Sequence, residues 1–245
     1  MIPVDLYGLP ADVKAIRDVV GDDVIIIEDA AQAHGATYRG EPLGSFSDMV
    51  CWSFYATKNM TTGEGGMVTT NNDEYAERLR YIRSHGGGGE RISFMIGHNY
   101  RMPEIEAAIG YVQLQKLPKL VERRRENAKL LSEKLNGAKG LQLPIEPPEC
   151  RHAWYLYTIR LINASVEIRD KIVEGLRRRG IGATVYYRTP IHLMPYYRQF
   201  VRHNLPETEK ATQEVFSLPV HPGVTGKEIE YIGDSVLKEL KQHTR

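Results

Sequence analysis

The stretch Met49 to Val68, MVCWSFYATKNMTTGEGGMV, constrains this chain more than any other. Met49 to Tyr55 is an apolar, aromatic-rich run with the composition of a buried strand. It stops at Thr57-Lys58-Asn59, passes through a Gly/Thr loop from Thr61 to Gly66, and re-enters an apolar run at Met67. A strand of this kind needs cover on its faces, and the chain leaves a lysine at its mouth. Desolvation there lowers a lysine's pKa and makes its amine a usable nucleophile. On this stretch alone, a solvated loop lysine is the competing reading.

Three further features bear on Lys58. Upstream, DVIIIEDAAQAHGA carries the run Val24 to Ile27, expected as a strand covered on both faces in a parallel sheet. It ends in Glu28-Asp29, at the carboxyl end where α/β folds place their ligands; an N-cap is the other reading of Asp29. Ser53 puts a hydroxyl at the end of an otherwise apolar strand, to bond backbone or to hold a phosphate. Gly97-His98-Asn99-Tyr100-Arg101-Met102 is a polar stretch directly before a helix opened by Pro103.

An acid, a desolvated lysine and phosphate-binding hydroxyls are the needs of pyridoxal phosphate. Its aldehyde takes a lysine, and a carboxylate keeps its pyridine nitrogen protonated so that the ring draws in electrons. Three collinear segments, EDAAQAHGA, SFYATKNMTTGEGG and GHNYRMPEIEAAIGYVQL, closely resemble the DegT/DnrJ/EryC1/StrS family of sugar aminotransferases. The resemblance runs from about Val4 to the C-terminus. It implies that Lys58 holds the cofactor aldehyde, that Asp29 pairs with the pyridinium nitrogen, and that Gln32 lies near the ring. It also implies that Ser53 contacts the phosphate, while Asn99 reaches the phosphate of a neighbouring subunit's cofactor. An obligate homodimer with shared active sites follows from that last role.

Against the family pattern, Ile2-Pro3-Val4 falls at a strand about a third of the way along a usual member. The resemblance thus implies an N-terminally truncated large domain, without its first strands, its phosphate-binding helix N-terminus and a ring-stacking aromatic. Asp5 stands where relatives more often have histidine. A sheet short of strands exposes edges and apolar faces, so such a body is expected to be unstable, to aggregate, or to pair with another chain.

The composition narrows the class. The 245 residues are 42% hydrophobic and 26% charged, with a formal net charge of +1, ordinary for a globular protein and without a broad pull toward nucleic acid or membrane. Arg123-Arg124-Arg125 and Arg177-Arg178-Arg179 are expected on solvated helix faces. The two cysteines, Cys51 and Cys150, form no framework and show no metal-ligand spacing. With no signal peptide and no apolar run of membrane length, a reduced, cytoplasmic protein is expected.

In chain order, periodicity and capping predict a helix from about Pro10 to Val20, strands at Val24–Ile27, Val50–Tyr55 and Met67–Thr70, and a helix from Asn71 or Asn72 through Arg83. His85 to Gly89 reads as a mobile glycine loop. From Pro103 a long helix runs to near Gly137, kinked or broken at Pro118. Residues 1–137 are read as the remainder of a large cofactor-binding α/β domain, with the aspartate aminotransferase (fold type I) architecture that the resemblance implies. Residues 138–245 are read as a small α+β domain. In the latter, strands are expected at Trp154–Ile162 and Gly182–Tyr187, with helices at Val166–Arg179, Pro206–Val215 and after a Thr225/Glu228 capping box. Tyr187, His192 and Tyr196 lie in YYRTPIHLMPYY, which resembles a family segment bordering the substrate cleft; for His192 a packed structural role weighs equally.

The resulting expectation is pyridoxal-phosphate-dependent transamination of a nucleotide-linked keto-sugar with glutamate or another amino acid as donor, serving amino-sugar or cell-envelope biosynthesis. Lysine at position 58 argues against the related dehydratases, which carry histidine there. The alternatives are a non-catalytic family member, one subunit of a split enzyme whose partner chain supplies the N-terminal part, and, last, a regulatory role. No DNA-reading helix pair with a basic face is legible.

Overall fold

The computed structural model describes residues 1–87, 92–200 and 203–243; Gly88 and Gly89 of the glycine run lie outside them. In chain order the elements are α1 (Val13–Val20), β1 (Ile27–Asp29), β2 (Thr37–Tyr38), β3 (Glu41–Pro42), β4 (Met49–Ser53), β5 (Gly66–Thr69), α2 (Asp73–Arg83), α3 (Glu104–Leu135), β6 (Leu141–Gln142), β7 (Cys150–Arg151), β8 (Tyr157–Leu161), α4 (Val166–Arg178), α5 (Pro206–Glu214), β9 (Val215–Leu218) and α6 (Gly226–His243). They form two compact units, Met1–Glu122 with Glu146–Tyr155, and Arg123–Ile145 with Leu156–Arg245. The long α3 contributes to both. Among the described residues no helix is long and apolar enough to cross a membrane.

In the first unit, β1 pairs with β4 in parallel, with Asp29 opposite Cys51, and β4 pairs with β5 antiparallel. The connection from β4 to β5 carries no helix and closes on itself through Phe54 N donating to Gly65 O, so β5 turns back beside β4. Met1 to Asp5 runs along β1, accepting from Ile27 and Asp29 through the Met1 and Pro3 carbonyls and donating from the Asp5 amide to Asp29 O at 3.0 Å. A small alanine-rich core (Ala30, Ala33, Ala36, Val50 and Ala153) backs this sheet, and Phe54, Met60, Leu117 and Val121 form a second core against α3.

Several boundaries differ from the sequence expectation. β1 is Ile27–Asp29 rather than Val24–Ile27, because pairing starts opposite Met49 and the Asp48 carboxylate already takes the Ile26 amide at 2.7 Å. Glu28 and Asp29 therefore lie within the strand. Ile25 is 45% exposed, so the apolar run is not covered on both faces. β5 is exposed throughout. The first helix starts at Val13, since Asp12 caps it by accepting from the Ala15 amide. Pro118 does not break α3. The carbonyl it leaves unpaired is that of Leu114, on an exposed stretch of the helix where water can take the hydrogen bond.

In the second unit β6, β8 and β9 form an antiparallel sheet with β8 in the middle. Tyr157, Ile159 and Leu161 of β8, with Phe216 and Leu218 of β9, are buried along with Ile172, Val173 and Leu176 of α4 and Ile229, Ile232 and Val236 of α6. Gly175 lets α4 and α6 approach closely: a Cβ there would collide with the Glu239 carboxylate. The Thr225/Glu228 capping box forms, the Glu228 carboxylate accepting from the Thr225 amide at 2.7 Å and Thr225 Oγ1 accepting from the Glu228 amide at 3.3 Å.

The expected strand at Gly182–Tyr187 reduces to a single bridge between Thr184 and Ser217. The strand expected from Trp154 starts only at Tyr157, because Trp154 sits at φ 48°, a conformation no strand contains. The arginine triplets are not wholly solvated: Arg124 is buried and Arg179 pairs with the buried Glu239 at 2.8 Å.

Candidate functional site

The candidate site lies in the first unit, at the carboxyl ends of the parallel pair β1 and β4. After Ser53 the chain folds back on itself: Phe54 N donates to Gly65 O at 2.9 Å and Thr62 N to Phe54 O at 3.0 Å, so residues 54 to 65 form a closed loop. Lys58 sits in that loop, half-buried. Its flanking residues anchor it to one segment. Thr57 Oγ1 and Tyr155 Oη lie 2.9 Å apart, and Asn59 Nδ2 donates to Ala153 O at 3.0 Å. The Lys58 amine lies over the Tyr155 ring, 4.7 Å from its centroid.

Electrostatics agree with this geometry. Burial pulls the Lys58 pKa down, while the carboxylate of Asp29 pulls it back up. Asp29 Oδ1 accepts from the Ala31 amide at 3.1 Å, a local turn contact; no helix starts after Asp29 among the described residues, so it is not an N-cap. His34 lies 2% exposed between the rings of Trp52 and Phe54. Burial, then the positive charge of Lys58, push its pKa down to about 4, so it is neutral at ordinary pH.

The other residues singled out by sequence fall as follows. Ser53 ends β4, one strand away from Asp29, and its Oγ accepts a long 3.4 Å hydrogen bond from the Tyr55 amide. Gln32 Oε1 accepts from the Tyr7 amide at 2.7 Å. Asn99 is exposed and lies opposite Ser84 in an antiparallel bridge. Tyr187 and His192 belong to the second unit. There Tyr187 is exposed, whereas the His192 ring is nearly buried with Nε2 3.0 Å from Glu209 Oε1.

Lys58, Asp29 and Ser53 thus gather at one end of one strand pair. Sequence reading did not single out Tyr155, Thr57, Asn59 or His34 for this site. His34 lies inside a quoted motif, but Thr57 and Tyr155 meet across 98 residues, and no local pattern reports such a contact.

The donor set fits pyridoxal phosphate: a partly desolvated amine with no carboxylate hydrogen-bonded to it among the described residues, an acid on the adjacent parallel strand, and a hydroxyl at the strand end. Comparison with known proteins agrees. The chain is 38% identical over 91% of its length to dTDP-3-amino-3,4,6-trideoxy-alpha-D-glucose transaminase of Streptomyces venezuelae, covering 58% of that protein. It is 35% identical over 95% of its length to GDP-perosamine synthase of Caulobacter vibrioides, covering 63% of it. The crystal structure of S. venezuelae DesV in complex with ketimine intermediate superposes with a TM-score of 0.91 at 36% identity, over 97% of this chain and 64% of that one. The expected α/β architecture of pyridoxal-phosphate-dependent sugar aminotransferases is therefore the one this chain has. The model of one family matches residues 1–237, and the chain belongs to it: the DegT/DnrJ/EryC1/StrS aminotransferase family.

Proposed function

We propose that this chain serves pyridoxal-phosphate-dependent transfer of an amino group from an amino acid to a nucleotide-linked keto-sugar, in amino-sugar biosynthesis in the cytoplasm. The observation that carries the reading is the Lys58 amine, half-buried with its pKa lowered, at the carboxyl end of β4 beside the acid on β1. The relatives named above, a dTDP-amino-sugar transaminase and a GDP-perosamine synthase, support the substrate class. When bound, pyridoxal phosphate supplies an electron-withdrawing ring that stabilises negative charge at the carbon losing its proton.

The rest is done by the chain's own residues. Lys58 would hold the cofactor and, once its amine is released, take and return the proton being moved; its lowered pKa keeps part of the amine neutral for that work. Asp29 would keep the ring nitrogen protonated, and its position within β1 fixes the carboxylate against the sheet. Ser53, with its weakly engaged hydroxyl, would contact the phosphate, and Gln32 would border the ring. Tyr187 and His192 are assigned to substrate contact, with His192 oriented by Glu209. The first unit is read as the remainder of the cofactor-binding domain and the second as the small domain.

A homodimer with shared sites is part of the proposal. Its support is the exposure of Asn99 and of the apolar side chains Ile105, Ile109 and Val112 on the N-terminal half of α3. The same faces, with Met67 and Val68 of β5 at 52% and 40% exposure, favour a second reading in which a different chain covers them. The test of the main reading is covalent capture: borohydride treatment of the chain with pyridoxal phosphate, then peptide mass mapping, should place the cofactor on the peptide containing Lys58.

A further inference from the structure

Lys58 is held from both sides by a single segment far away in sequence. The residue before it, Thr57, meets the Tyr155 hydroxyl, and the residue after it, Asn59, binds the Ala153 carbonyl. Residues 153 to 155 are themselves built into place. Ala153 N donates to Gly8 O at 2.8 Å. Gly8, at φ 102°, has no Cβ, and one added there would sit 3.0 Å from Tyr155 N and 3.1 Å from Trp154 N. Trp154 occupies the left-handed region, costly for a bulky residue. It is locked there by its amide donating to His152 Nδ1 at 2.8 Å and by the His152 and Trp154 rings stacked 4.0 Å apart, 3° from parallel. All of this presents the face of Tyr155, 8% exposed, to the Lys58 amine.

We infer that Tyr155 is the positioning residue of Lys58: its ring face holds the amine at the carboxyl end of β4 and stabilises its charged form against desolvation. The inference rests on the reading that Lys58 is the cofactor's lysine. An ammonium within about 6 Å of a ring centroid is attracted by the negative face of the ring, and the separation here is 4.7 Å. Two other ionisable groups act on Lys58. The Asp29 carboxylate on β1 favours the charged amine, and His34, neutral, contributes no opposing charge at ordinary pH. The ring therefore works with Asp29 against burial. Without both, the lysine would lose its charge at lower pH and lose its fixed place.

The experiment alters ring electronics without altering ring size much. In the cofactor-free chain, Tyr155→Phe is compared with 4-fluoro, 3,5-difluoro and 3,4,5-trifluoro phenylalanine at the same position, and trace acetylation by acetic anhydride is followed against pH on the Lys58 peptide by mass spectrometry. Each fluorine weakens the negative face. The Lys58 midpoint is expected to fall stepwise through the series, by about half a pH unit to one unit in total, while that of Lys14 on α1 stays put. A midpoint that is flat across the series, or one that moves together with Lys14, overturns the assignment. Acetylation involves no cofactor. A flat series would therefore leave the attachment of pyridoxal phosphate to Lys58 standing, and failure of that attachment would leave the ring's role to be judged on the series alone.

Discussion

Burial pushes the pKa of Lys58 downward and that of Asp5 upward, each group toward its neutral form. For Lys58 this is useful, since a fraction of neutral amine is what a nucleophile and proton carrier needs. For Asp5 it is a liability. The residue is fully buried with one oxygen accepting from the Ala11 amide at 2.8 Å. Burial first, then the neighbouring Glu28 carboxylate, raise its pKa to about 8. Between pH 4 and 8 the folded chain therefore binds a proton that the unfolded chain has released. The stability contributed by Asp5 consequently falls as pH rises through that window and levels off above it. Asp5→Asn keeps the acceptor for Ala11 and removes the titration. His34, its pKa pushed down to about 4, works in the opposite sense below pH 6.5 in both chains, so the readout is their difference. In urea denaturation at pH 5, 6.5 and 8 the stability of the native chain relative to the variant is expected to fall by on the order of a few kcal/mol across the window; parallel slopes would contradict the account. Lys58 and Asp29 were legible in sequence because each ends an apolar run, where a charge is out of place. Asp5 stood out only as a departure from the family pattern, and its pairing with Glu28 is a product of the fold.

Among the elements, α3 shows how a tertiary partner decides what local rules leave open. Pro118 suggested a kink or break, yet the helix continues through it, with Leu114, whose carbonyl loses its partner, on an exposed stretch. Further along, Asn127 is fully buried in α3 and its Nδ2 lies 3.1 Å from His221 O and 3.2 Å from Val224 O, satisfying the turn that precedes α6. Asn127→Leu retains volume and removes the donor, leaving buried carbonyls unpaired. The expected loss is about 2 to 3 kcal/mol in chemical denaturation; a loss below about 0.5 kcal/mol would show that the amide does not hold this turn. The capping box at Thr225 and the Asn72 cap, whose Oδ1 accepts from the Tyr75 amide, were both readable from sequence, since capping is local chemistry. β9 was not. Val215 to Leu218 follows directly on α5 with no breaker between them, and only pairing with β8 makes it a strand.

At the scale of the whole molecule, the sequence suggested a division at the Pro-rich stretch after the long helix, whereas the compact units part within α3, at Glu122/Arg123, and again after Tyr155. The way Glu146–Tyr155 returns to the first unit was not legible, because it is fixed by backbone bonds to Gly8 and side-chain bonds to the Lys58 loop. The shared-site proposal makes a prediction at this scale. Lys58→Ala and Asn99→Ala chains, each defective in cofactor retention alone, should restore about one intact site in four when unfolded and refolded together, because half the dimers are mixed and each holds one complete site. A mixture that retains no more cofactor than the average of its parents would rule out sharing through Asn99.

The central claim, that this chain holds pyridoxal phosphate through Lys58, is tested most directly by absorbance of the purified chain after adding the cofactor, with Lys58→Ala alongside. The account predicts a visible band in the wild type that survives desalting, disappears on borohydride reduction with the cofactor mass left on the Lys58 peptide, and is absent in the variant. The same spectrum from both chains, or a label mapped to another lysine, would contradict it.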